Sequence, residues 1–260
     1  MFDSGFGGLS VARSLIDLLP GEDIVYVGDT GRYPYGSKPL EEVAGYARQI
    51  AERLVAEHDV KLIVVACNTA AAAALHLLRF ELDVPVVGVI DPGARAAVSA
   101  TRNRRVGVIG TVGTVASGAY QRAVSDADRS VVLTSAACPG FVEFVERGQT
   151  EGDEVTVLAE RLLAPVQEAE VDTLLLGCTH YPFLARVIGD VMGPEVVLVS
   201  SADETAFEVR EIMERTGLVR RTEGKGEHRF ISTGDARWFR RVGRRLLGPE
   251  LDKVGTWSWA

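Results

Sequence analysis

The chain has 260 residues, 47% apolar and 25% charged, with 28 Lys and Arg against 36 Asp and Glu for a formal net charge of -8. That acidity makes nucleic acid and anionic membrane poor default partners, and the apolar share suits a soluble globular protein with a sizeable core. At ~150 residues per domain, the length fits one large domain or two small ones.

The start, MFDSGFGG, has no basic segment leading into an apolar run, so no signal peptide is expected. In FDSGFGGLSVA (2–12), Asp3 and Ser4 precede Gly5, Gly7 and Gly8, then a helical pattern. Glycines there let backbone N–H groups approach an anion. The G-x-G-G spacing is a weak match to a dinucleotide loop. Asp3 is a candidate to bind an ammonium group or orient a proton-transfer partner, with helix capping as the alternative.

DIVYVG (23–28) reads as the next strand, and RYPYGSK (32–38) as a loop in which Tyr35 and Gly36 could line a pocket. LEEVAGYARQIAERLVAEH (40–58) repeats Val43, Ala47, Ile50, Ala51 and Leu54 at three- and four-residue steps, the apolar stripe of a helix. KLIVVA (61–66) is an apolar strand that runs into Cys67, Asn68, Thr69 and a helical NTAAAAALHLL. VPVVGVI (84–90) and RVGVIG (105–110) are further strands. GTVGTVASGAYQ (110–121) follows, with Thr111 and Thr114 as candidate ligands for a small polar molecule or as helix caps.

SVVLTSA (130–136) precedes Cys138, whose CPGFVEF context lacks polar neighbours and reads as structural. DTLLLG (172–177) runs into Cys178, Thr179 and His180, then the helical PFLARVIGDVMG, and EVVLVS (195–200) is the last predicted strand. GLVRRTEGKGEHR (217–229) reads as an exposed loop. RWFRRVGRRLLG (237–248) is a helix whose basic side is either solvated or a patch for an anionic partner. No apolar stretch reaches the ~18 to 20 residues of a membrane span. Near-continuous apolar strands alternating with helices predict an α/β fold with parallel sheet.

Three cysteines, widely spaced and without C-x-x-C, point to reduced thiols in the cytosol and away from structural zinc or a redox dithiol. LIVVACNTA (62–70) and TLLLGCTHY (173–181) echo each other as strand, cysteine, small polar residues and helix, which suggests two similar units facing one another. Ligands of open α/β sheets bind beyond the carboxyl ends of strands, where both cysteines would lie. A helix N-terminus there should lower thiol pKa. His180 could shuttle protons beside Cys178 or be a structural histidine; the cysteines could likewise be small core residues. Two thiols flanking one carbon could remove a proton from one face and return it on the other, since the ~8.5 reference pKa keeps thiol and thiolate both accessible. No cofactor or metal is expected. Lys38, Lys61, Lys225 and Lys253 are the lysines, and none sits in a phosphate-cradling context for pyridoxal chemistry.

FDSGFGGL, GDTGRYPYG, ACNTA, VGVIGT and LLLGCTHYP, in that order and spanning nearly the whole chain, resemble the glutamate racemases of the cofactor-independent aspartate/glutamate racemase family. The resemblance implies two similar three-layer α/β domains with the active site at their interface: residues 1–92 plus 205–260, carrying Cys67, and residues 93–204, carrying Cys178. It implies that these cysteines are the acid/base pair, the first serving the D-isomer and the second the L-isomer, assisted by Asp3 and His180 respectively. Asp3, Ser4, Tyr35, Gly36, Asn68, Thr69, Thr179 and His180 would line the substrate site.

The implied reaction interconverts L- and D-glutamate for peptidoglycan synthesis in a bacterial cytoplasm, without cofactor, in a protein expected to be a homodimer. A racemase of aspartate or another amino acid, for which Glu would be expected in place of His180, and a non-catalytic binding protein that regulates a partner are the alternatives. There are two departures. The apolar strand that family members carry before FDSG is represented by Met1 and Phe2 alone, as in a shortened start, which should remove core area and leave Asp3 poorly anchored. Ala71 also stands where a Ser or Thr is frequent.

Overall fold

A computed structural model describes residues 1–221 and 224–259. In chain order the elements are β1 (Phe2–Asp3), α1 (Leu9–Leu18), β2 (Ile24–Gly28), α2 (Leu40–His58), β3 (Ile63–Val65), α3 (Asn68–Glu81), β4 (Val86–Gly88) and α4 (Ile90–Ala100). There follow β5 (Arg105–Gly110), α5 (Val112–Ala116), α6 (Ala119–Ala127), β6 (Val132–Ala137), α7 (Phe141–Arg147), α8 (Asp153–Glu168) and β7 (Thr173–Gly177). A one-turn 3-10 helix (Tyr181–Leu184) leads to α9 (Ala185–Met192), β8 (Val197–Ser200), α10 (Ser201–Thr216), β9 (His228–Ser232), α11 (Ala236–Leu246) and β10 (Val254–Thr256). Among the described residues, no helix is long and apolar enough to cross a membrane.

The strands form two parallel sheets, ordered β10-β9-β2-β1-β3-β4 and β6-β5-β7-β8. The predicted alternation of strand and helix is therefore the fold. In the first sheet the chain leaves β1 for β2 on one side and returns to β3 on the other. In the second, β6 and β7 flank β5 in the same way. Each sheet thus has a topological switch point, where open α/β folds leave a crevice at the strands' carboxyl ends. Asp3 and Cys67 stand at one switch point, Thr111 and Cys178 at the other.

The helices pack as their stripes dictate. The α2 positions Val43, Ala47, Ile50, Ala51 and Leu54 are all fully buried. One apolar core surrounds the six-stranded sheet and takes in Val106, Val108 and Leu175 from the four-stranded one. A second core gathers Phe141, Val145, Leu163, Leu174, Leu176 and Ile188. The shared core and the α10 contacts with both α1 and α4 tie the two sheets together.

Several expectations need correction. Short though it is, β1 is ladder-bonded on both sides, with Phe2 opposite Val27 and Val65, and the Met1 amine donates to the Val25 carbonyl at 2.7 Å. Asp3 is therefore firmly held and not poorly anchored. Residues 217–229 were expected to be loop throughout, but β9 begins at His228; Thr222 and Glu223 of that stretch lie outside the described residues. The echo between the two cysteine segments stops at the sulfur. Cys67 caps α3 directly, whereas six residues separate Cys178 from α9. A 3-10 turn opening at Tyr181 intervenes, with Pro182, which has no N–H to leave unpaired, in its first turn.

Candidate active site

The loops that leave the two switch points enclose one cavity of about 100 Å³. Its wall includes Asp3, Ser4, Tyr35, Gly36, Cys67, Asn68, Thr69, Thr111, Cys178, Thr179 and His180, so the sequence-derived candidates converge there, Thr114 excepted. Both Cys67 and Cys178 reach this one space, a sulfur from each sheet.

Asp3 is wholly buried at the end of β1. Its Oδ1 accepts from the Gly5 amide at 2.8 Å and its Oδ2 from the Thr179 hydroxyl at 3.4 Å, across the junction of the two sheets. Burial raises its carboxyl above the ordinary value, against the His180 charge, which pulls the other way. Gly7 explains part of the glycine pattern. A Cβ at that position would lie 2.4 Å from Thr179 Oγ1 and 2.5 Å from His180 Nδ1. The Ser4–Gly8 turn thus serves as the seat against which the second cysteine loop packs, and Ser10 adds a hydroxyl bond to the Thr179 carbonyl at 3.3 Å.

The Cys67 Sγ lies 3.8 Å from Ser4 Oγ. Burial, followed by the neighbouring Asp3 charge, pushes this thiol up to about 12, with the Ala70 amide opposing. The helix N-terminus acts in the expected direction but is outweighed, so the expected low-pKa thiol is not found at Cys67. Asn68, the first residue of α3, accepts from the buried Tyr120 hydroxyl at 2.6 Å through Oδ1. That fixes its amide, and its buried Nδ2 has no partner among the described residues. Thr69, Thr111 and Thr114 form a triangle of hydroxyls, with separations of 2.9, 3.1 and 2.9 Å. Thr111 both caps α5 and faces the cavity, whereas Thr114 braces it from behind.

At the second sulfur, Cys178 Sγ is 3.8 Å from His180 Nδ1, and His180 Nε2 is 3.1 Å from Glu146 Oε1. Burial alone would lower the imidazole pKa. The bonds to Cys178 and Glu146 outweigh it and raise His180 to about 10. Sequence reasoning missed Glu146, on α7; the available signal was the pair Glu143 and Glu146, one turn apart in FVEFVER just after a strand end. It also set Cys138 aside as structural. Cys138 is buried, its carbonyl accepts from Tyr181 at 3.0 Å, and burial pushes its thiol up to about 12, yet it forms part of the cavity wall. Tyr33 and Pro34 line the cavity too. Among the described residues, no three His, Cys, Asp or Glu side chains are grouped as a metal would require.

A model of the Asp/Glu/Hydantoin racemase family matches residues 8–208. A glutamate racemase of Parafrankia sp. is 54% identical over 255 residues, covering 98% of this chain and 92% of that protein. The crystal structure of a glutamate racemase from Bacillus anthracis superposes with a TM-score of 0.93 at 40% identity, covering 100% of this chain and 96% of the other. A glutamate racemase from Francisella tularensis, solved in complex with D-glutamate, gives 0.92 at 32% identity, covering 99% and 96%. With that match over most of its length and relatives of this similarity, the chain belongs to the Asp/Glu/Hydantoin racemase family.

Proposed function

We propose that this protein is a glutamate racemase that inverts the α-carbon by proton transfer between Cys67 and Cys178. The observation that carries the reading is the shared cavity, into which each sheet contributes one thiol. One cysteine, as thiolate, takes the α-proton; the other, as thiol, delivers its own proton to the opposite face, so proton count and charge balance over the turnover. Cys67 serves D-glutamate and Cys178 serves L-glutamate.

The residues around each sulfur fit that division. Cys67, held as a thiol by burial and by Asp3, has a proton to deliver when L-glutamate is bound. In the reverse direction the substrate ammonium, drawn in beside Asp3, favours the Cys67 thiolate, because an opposite charge at short range stabilises the ionised form. His180, a cation at neutral pH, stands next to Cys178 and is backed by Glu146. The unpartnered Asn68 Nδ2 and the Ser4 and Thr69 hydroxyls are donors for the substrate carboxylates and for the charge that develops as the α-proton leaves. The product feeds peptidoglycan synthesis in the cytoplasm, the role that family resemblance implies.

Circular dichroism of L-glutamate in deuterated buffer, with no added cofactor, tests the reading. Ellipticity should decay to zero and the D-product should carry α-deuterium. D-product that keeps its original hydrogen would reject two-thiol transfer. Cys67→Ser and Cys178→Ser should each lose about 10²- to 10⁴-fold in turnover.

A further inference from the structure

Asp29 follows β2 and is fully buried, some way behind the cavity. Its Oδ1 accepts from Thr233 Oγ1 at 2.6 Å and from the Trp259 indole N–H at 3.0 Å; its Oδ2 accepts from Arg32 Nε at 2.7 Å and from the Tyr35 hydroxyl. A carboxylate offers about four lone-pair sites, so this one is saturated. The donors come from three separate stretches: the loop after β2, the turn after β9, and the C-terminal tail. The tail's Trp259 also stacks on the Arg32 guanidinium, 3.9 Å from the ring centroid, and Arg32 lies 4.2 Å from the Tyr46 ring.

The loop tied to Asp29 is the one that builds one side of the cavity. Tyr33, Pro34, Tyr35 and Gly36 all line it. Its far end is pressed against the second sheet's loop: Gly113 N donates to Gly36 O at 2.9 Å, and a Cβ on Gly36 would meet Thr111 Cβ at 2.7 Å. Tyr35 is a constant donor, since burial and then the Asp29 charge raise its hydroxyl far above the ordinary range. The loop is thus fixed at one end by the saturated carboxylate and at the other by Thr111 and Gly113.

We propose that Trp259 is a positioning residue for the substrate cavity: through Asp29 and Tyr35, the C-terminal tail sets where the 33–36 wall stands. The kinetic part of the test rests on the glutamate racemase reading; the exchange part does not. Trp257 provides the contrast. It lies on the same tail, stacked on His58, edge-on to Trp259 and 4.3 Å from the Arg53 guanidinium, and it is not among the donors to Asp29.

Trp259→Phe keeps a ring for Arg32 and removes only the indole N–H. The expected result is a rise of about five- to tenfold in KM for both glutamate enantiomers with kcat within about twofold of wild type, as loss of one bond to a buried charged group would give. Hydrogen exchange of the Gly113 amide, which reads the grip on Gly36, should speed up by about tenfold. Trp257→Phe should leave KM and Gly113 exchange at wild-type values. Unchanged KM together with unchanged Gly113 exchange in Trp259→Phe overturns the proposal. Equal effects from Trp257→Phe also overturn it, because the tail would then act by packing alone. If the wild-type protein does not racemise glutamate, the functional reading falls, and Gly113 exchange in the two variants still decides the positioning claim.

Discussion

Replacing Gly7 by alanine tests the junction between the two half-sites. The added Cβ would stand 2.4 Å from Thr179 Oγ1 and 2.5 Å from His180 Nδ1, whereas ordinary contact begins at 3.4 Å. The Thr179 hydroxyl can turn away by changing rotamer. The His180 ring has less freedom, because Glu146 holds Nε2 at 3.1 Å. Relief of the clash therefore moves the ring by about 0.9 Å, from 2.5 to 3.4 Å, and loosens its 3.8 Å approach to Cys178. Overpacking of this kind costs about 1–3 kcal/mol of stability, and a displacement near 1 Å at a reacting centre costs about 10²-fold in rate. Racemisation followed by circular dichroism should show that loss in kcat/KM from either enantiomer alike, since the equilibrium constant between enantiomers is one. A proton-detected titration of His180 should meanwhile show its pKa falling from about 10 towards the ordinary value of 6.5. A folded Gly7→Ala enzyme with wild-type kcat/KM would refute the claim that the His180 ring must stand where it does beside Cys178.

Gly45 offers the opposite case: it lies within α2 and a Cβ there would meet nothing within 4 Å, so Gly45→Ala should raise stability by up to about 1 kcal/mol in denaturant melts and leave turnover unchanged. Glu146→Gln should weaken the hold on the His180 cation. The His180 pKa of about 10 lies above its ordinary 6.5, so its stabilising contribution is full below 6.5 and lost as pH rises through about 10; the Tm gap between wild type and Glu146→Gln should be wide near neutrality and close above pH about 10. The free enzyme's Cys67, a thiol pushed up to about 12, should alkylate slowly with iodoacetamide at pH 8 and still be accelerating well above pH 9; mass-spectrometric mapping that found a plateau near pH 8 would contradict the assigned burial and Asp3 effects.

Much of this molecule was legible because its strands are short apolar runs that end in chemically distinctive residues. β3 and β7 are fully buried, so their sequences carry no alternation and are plain to see, and each delivers a cysteine. What escaped detection lacked such a signal. β10 has three residues, and β9 opens with His228 and Arg229, which read as loop until the register with β2 gives them ladder partners. Glu146 belongs to a seven-residue helix whose carboxylates look like an ordinary solvated face; only the fold turns one of them toward His180. The expected low thiol pKa failed at Cys67 for a related reason. A helix N-terminus is visible in a sequence, but the depth at which it is buried and the carboxylate of Asp3, 64 positions earlier, are products of the sheet order.

The chemistry proposed here is symmetric about one carbon, yet its two sides are built unlike each other, and that difference has a physical use. A two-base racemase is inactive if both sulfurs are protonated or both are ionised; it needs one of each. Identical surroundings would leave that choice to chance. Here the Cys67 side has a buried carboxylate, which keeps the proton on sulfur, and the Cys178 side has an imidazole that remains cationic between the sulfur and Glu146. Burial and Asp3 thus keep a proton on Cys67 before substrate arrives. The Asp3–Thr179 bond and the seat at Gly7 fix the two environments relative to each other. On this view the residues that join the sheets matter to the reaction as much as those that touch the substrate, because a half-site displaced from its counterpart would keep its own local charges and lose the pairing that makes one sulfur an acid when the other is a base.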